Sequence, residues 1–134
     1  MSRRSERSTA ARILGGVLVV VAATEFAVLQ CFFLPLRIGS VPVPLSIPAA
    51  VLGNVALPAL AYRLSGSRIA AALPVLVWIA VVIAASVPRP EGDVIVTGTA
   101  RGVAFLVLGS IAGAYAVGRL LTRPPDPIMD HATG

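Results

Sequence analysis

The sequence predicts an all-α membrane protein: four transmembrane helices in an up-down bundle, with both termini cytoplasmic. Three observations carry this. Of 134 residues, 57% are hydrophobic and only 13% charged, against about 25% charged in soluble domains. A chain this short has too little interior to hide so much apolar side chain from water, so the excess must face lipid. The apolar residues gather in four segments of roughly 18–22 residues, and a helix rising ~1.5 Å per residue needs roughly 20 to cross a hydrocarbon core of about 30 Å. Finally, the arginines cluster on one side of those segments. Backbone groups in lipid must be paired within the segment, which makes helices the default spanning structure.

Taken in order, residues 1–12 form a basic cytoplasmic N-terminus. The transmembrane domain covers 13–121, with helices at about 13–34, 45–62, 69–87 and 102–121. The first apolar stretch exceeds the about 7–15 residues of a signal-peptide core. No small-x-small cleavage site follows it, so it is expected to be a retained anchor. The second segment is the shortest and should sit nearly upright or thin the bilayer locally. Pro74 lies near the start of the third helix and should disturb it little. Residues 122–134 are Pro-rich and polar, and are expected to be a disordered cytoplasmic tail.

Orientation follows from the arginines. Arg3, Arg4, Arg7, Arg12, Arg63, Arg68, Arg119 and Arg123 fall on one side; Arg37, Arg89 and Arg101 fall on the other, offset by Glu91 and Asp93. The bias places both termini and the middle loop "RLSGSR" in the cytoplasm. It also argues against nucleic acid as the partner of the +5 net charge, since the arginines flank membrane segments. All eleven basic residues are arginine, which fits a GC-rich bacterial genome. The two outer loops, "LPLRIGSVPVPLS" and "PRPEGDVIVTGT", alternate valines with Pro and Gly. They read either as strands of a small external ribbon or as stiff extended connections, because proline cannot donate to a ladder.

One carboxylate stands out. Glu25 lies near mid-depth of helix one, and an ionisable residue there is a functional hypothesis by default. Insertion scales charge about 2.5–3.5 kcal/mol for an acid such as aspartate at a helix centre. The expected partner is Asn54. Both lie nine residues from the outer ends of adjoining antiparallel helices, roughly 13 Å down. Pro58 lacks an N–H, so the Asn54 carbonyl loses its helical partner and is free to accept from a protonated Glu25. The pair is therefore either interhelical glue or a proton- or ligand-binding site. Gln30 is about 140° around the helix from Glu25 at 100° per residue, so it belongs to another face.

Helix four carries Gly109 and Gly113 in G-x-x-x-G spacing, extended by Ser110/Ala114 and Ala112/Ala116. Such surfaces let backbones approach closely, within the chain or between chains. Gly15 and Gly16 offer a second, weaker approach site on helix one. Trp78 is mid-helix and faces protein or lipid tails, whereas Tyr62 and Tyr115 suit the inner interface. Cys31 reads as an apolar filler; as the only cysteine it excludes an internal disulfide. His131 has no companion ligands, and Glu91 with Asp93 reads as solvated loop charge. No metal spacing, phosphate-cradling loop or catalytic set is present, so neither a cofactor nor an enzyme activity is expected.

Four short helices, a glutamate inside helix one and a glycine motif in helix four resemble the small multidrug resistance transporters. That resemblance implies Glu25 as the acid that binds substrate and protons, and Gly109/Gly113 as a dimer contact. The stretch "PRPEGDVIVTGTARGVAFLVLGSIAGAYAVG", with "VLGN" of helix two, is similar to small uncharacterised four-helix integral membrane proteins of actinobacteria. It implies a lineage and a topology. The expectation from the residues is a non-enzymatic, multi-pass accessory subunit of a bacterial plasma membrane. It would act through helix contacts with other membrane subunits or with itself. A small proton-coupled transporter using Glu25 is the alternative.

Overall fold

A computed structural model describes residues 2–92 and 98–123. It contains four long helices: α1 (Ser2–Phe33), α2 (Ser46–Ser65), α3 (Arg68–Ser86) and α4 (Ala100–Thr122). All four are long and apolar enough to cross a membrane, which makes this a multi-pass membrane protein. Only 22–28% of the most apolar part of each helix is buried inside the chain. The remaining surface, rich in exposed Leu, Ile and Val, is suited to lipid.

The helices match the expected spans within a few residues, with one exception. Helix α1 begins at Ser2 rather than near residue 13. The basic segment holds no Gly or Pro before Gly15, and Arg, Glu and Ala are good helix formers. Thr9 returns its hydroxyl to the Ser5 carbonyl at 3.1 Å, so the helix continues outward beyond its apolar part. Helix α2 ends at Gly66, whose φ of 69° provides the left-handed cap that bonds back to the Tyr62 carbonyl. One residue later the Ser67 hydroxyl accepts from the Ala70 N–H and starts α3. A cap and an N-cap in immediate succession explain why this connection is so tight. Thr99 caps α4 in the same way through Gly102.

The loop after α1 folds on itself. Strands β1 (Arg37–Ile38) and β2 (Val41–Pro42) pair antiparallel, Arg37 against Pro42 and Ile38 against Val41. Gly39, at φ 64°, makes the two-residue turn possible. A ribbon joining this loop to the second outer loop would involve residues 93–97, which lie outside the described residues, as does the tail from residue 124.

Helices α2 and α3 form the centre. Helix α1 packs against both on one side and α4 against both on the other; the backbones of α1 and α4 make no close approach to each other. The antiparallel order is visible in the contacts at one end, where Gly15 of α1 meets Leu64 of α2 and Arg68 of α3 donates to the Leu121 and Arg123 carbonyls at the C-terminal end of α4. The core between the helices is built largely from small residues, among them Ala23, Ala27, Ala50, Ala71, Ala112 and Ala116. In lipid, helices gain no hydrophobic energy by leaving their surroundings, so close backbone packing supplies the attraction. Three large side chains, Trp78, Phe105 and Val82, fill the space near the middle.

Candidate functional site

Three glycines set the helix separations. Phe26 of α1 lies on Gly53 of α2, the Trp78 ring of α3 lies on Gly109 of α4, and Val75 lies on Gly113, where a Cβ would stand 2.6 Å from its Cγ1. Both glycines of the G-x-x-x-G pair are therefore occupied within the chain. The transporter resemblance implied a dimer contact at this face, which α3 fills here.

Around Trp78 the structure assembles a buried polar node that draws on all four helices. The indole Nε1 donates to Gln30 Oε1 of α1 at 2.8 Å. The Gln30 backbone carbonyl accepts from the Ser46 hydroxyl at the start of α2, at 2.7 Å. Trp78 also packs on Phe105 of α4, with ring centroids 5.4 Å apart and planes tilted by 56°. Beneath the indole, the Gly109 carbonyl accepts from Asn54 Nδ2 of α2 at 3.0 Å. The Trp78 donor fixes the orientation of the Gln30 amide: its oxygen must face the indole, which leaves Nε2 buried and unpaired. Gln30 is only 3% exposed. The sequence signals for this node were weak singly, a glutamine and a tryptophan in apolar helices, and neither predicts the other.

Glu25 and Asn54 are not joined. Asn54 is 1% exposed, and its amide is directed to α4. Glu25 is exposed and has no hydrogen bond or ion pair among the described residues. The difference from the expected pair is one of azimuth. Phe26 meets Gly53, and one step along each helix in opposite directions leads to Glu25 and Asn54. They lie at matched depth but each is turned about 100° away from the α1–α2 contact. Glu25 instead stands among exposed apolar neighbours on α1, including Leu18 (58%), Val21, Leu29 (52%) and Phe32. Thr24, beside it, returns its hydroxyl to the Val20 carbonyl and offers Glu25 nothing.

The arrangement does two things chemically. The node around Trp78 locks four helices with a few directional bonds in a low-dielectric interior. The outer face of α1 presents a carboxyl group with no partner among the described residues. Cys31 is buried beside the node as a packing residue. Among the described residues no three metal-type side chains converge.

The Asn54 bond is testable alone. Asn54→Leu keeps the volume and deletes the donor. It is expected to lower stability in mixed micelles of increasing SDS content by about 0.6 kcal/mol, with about 1.7 as the ceiling for such bonds in membranes. Unchanged stability would show that the Gly109 carbonyl does not depend on this donor.

No protein-family model matches this chain, and neither a curated protein nor a solved structure matches it, so the functional reading rests on this geometry.

Proposed function

We propose that the chain is a non-enzymatic accessory subunit of a bacterial plasma membrane, with both termini cytoplasmic, that assembles with other membrane protein through the Glu25 face of α1. The observation that carries this is the exposure of an unpartnered carboxyl group on an apolar face of a membrane-spanning helix. A charged or polar side chain facing lipid at mid-depth costs several kcal/mol by most scales. That cost falls when a polar side chain of a neighbouring helix covers it. Inside the chain Asn54, the polar residue matched to Glu25 in depth on the adjoining helix, already serves Gly109, so the cover comes from another subunit or a second copy. The arginine asymmetry supports the orientation.

Affinity purification of the tagged chain from its native membrane tests this. The expected result is a larger assembly, retained by the wild type and lost from Glu25→Leu, while the variant's own unfolding curve is unchanged or shifts toward stability. Recovery of the lone chain from wild-type membranes would refute the assembly.

The same exposed acid favours one second reading, a proton-coupled transporter whose path forms between copies with Glu25 lining it. Proteoliposome uptake driven by a proton gradient, present in wild type and absent in Glu25→Gln, would support it. No uptake, or equal uptake by both proteins, would remove Glu25 from any transport mechanism.

A further inference from the structure

At the end of the bundle where Arg68 meets α4, a groove of about 150 Å³ opens between α2 and α4. Its upper part is apolar, formed by Val55 and Ala59 of α2 and Ala116 of α4; its mouth is formed by Tyr115, Arg119 and Arg123. From Tyr115 to Arg123 the groove follows α4 for about 12 Å at ~1.5 Å per residue. Arg119 and Arg123 are exposed, and neither guanidinium has a partner among the described residues.

We infer that this groove is a binding site for an anionic phospholipid, with one acyl chain along Val55, Ala59 and Ala116 and the phosphate between Arg119 and Arg123. Two guanidinium forks are matched to phosphate oxygens and suit it better than a single ammonium would. Basic pockets between spanning helices at the cytoplasmic level are a recurrent way of holding anionic headgroups. The C-terminal end of a helix ordinarily repels an anion, because its last carbonyls carry partial negative charge. Here Arg68 donates to two of those carbonyls, Leu121 at 3.3 Å and Arg123 at 2.9 Å, and brings a third positive charge to the same end. Among the described residues no carboxylate lines the groove, so the ammonium of a zwitterionic headgroup finds no partner among them. Glu6, the one acid on α1 at this end, belongs to a helix whose backbone does not closely approach α4.

The experiment titrates the detergent-solubilised full chain with phosphatidylglycerol and with phosphatidylcholine, read by native mass spectrometry. The wild type is expected to prefer phosphatidylglycerol at least tenfold. Arg119→Gln/Arg123→Gln should lose roughly 30-fold in phosphatidylglycerol affinity, from the usual contribution of a basic residue at an anionic surface. Arg3→Gln/Arg7→Gln, at the far start of α1, should change it less than twofold. Ala59→Phe fills the apolar slot with the arginines intact and should also weaken binding. The site is overturned if the two lipids bind alike, if the Arg3/Arg7 control loses as much as the groove variant, or if Ala59→Phe binds at full affinity. It is overturned as a lipid site if glycerol phosphate displaces phosphatidylglycerol at equal concentration.

Discussion

Trp78→Ala is expected to destabilise the bundle by about 3–5 kcal/mol, the range for removing a large buried aromatic side chain. The indole is the piece through which α1, α3 and α4 meet. Its removal opens a cavity directly over Gly109, which has no side chain to fill it, and beside Phe105, which loses its ring partner. It also strips Gln30 Oε1 of its donor, so a glutamine whose Nε2 is already unpaired becomes unpaired at both ends. Trp78→Phe separates the two effects. It retains a ring over Gly109 and loses the hydrogen bond, with an expected loss of about 0.6–1.7 kcal/mol beyond the change in ring size. Adding Gln30→Met to Trp78→Phe removes every orphaned group at once, and replacing both partners of a buried bond by apolar groups is often nearly neutral. The double variant should recover most of what Trp78→Phe loses. SDS unfolding of the wild type, Trp78→Phe, Gln30→Met and the double variant completes the cycle; additive losses would mean that Trp78 and Gln30 are not coupled.

The contrast between what the sequence foretells and what it conceals has one physical origin. Length and apolar content fix the four spans, because the bilayer demands about 20 residues per helix wherever they point. In a soluble bundle, polarity would then also mark which side of each helix is buried. Here lipid and core are both apolar, so hydrophobic periodicity no longer reports azimuth. That is why depth matching joined Glu25 to Asn54 when the residues in contact are Phe26 and Gly53. The signal that does report azimuth is side-chain size. Apart from Gln30, the buried residues of α1 recur at steps of four, Gly15, Val19, Ala23, Ala27 and Cys31, and mostly small ones let helices approach. Glu25 lies two residues from both Ala23 and Ala27, about 160° around the helix from that stripe at 100° per residue. On α4 the same size rule succeeds: Gly109, Ala112, Gly113 and Ala116 are all buried. What size cannot supply is the identity of the facing helix, which is why the glycine pair was open to both an internal and a dimeric reading.

Gly109→Ala decides between those readings, because they predict opposite sites of damage. A methyl at Gly109 would enter the Trp78 ring, and the ring cannot yield. It is held by the Nε1 bond to Gln30 on one side and by Phe105 on another. Helix α4 must therefore move outward, carrying the Gly109 carbonyl away from Asn54 Nδ2 and stretching a 3.0 Å bond. Overpacking of this kind costs about 1–3 kcal/mol, and the damage falls on the folded chain itself. Gly113→Ala meets Val75, whose branched side chain has few alternative rotamers, and should fall in the same range. Gly118 is the control on the same helix: nothing lies within 4 Å of its added Cβ, and alanine there should stabilise α4 by up to about 1 kcal/mol through helix propensity. If the glycine pair served a dimer, Gly109→Ala would leave the unfolding of the isolated chain unchanged and lower only its association. The internal packing predicts the reverse, a less stable chain whose proposed assembly through the Glu25 face of α1 persists wherever the bundle still folds.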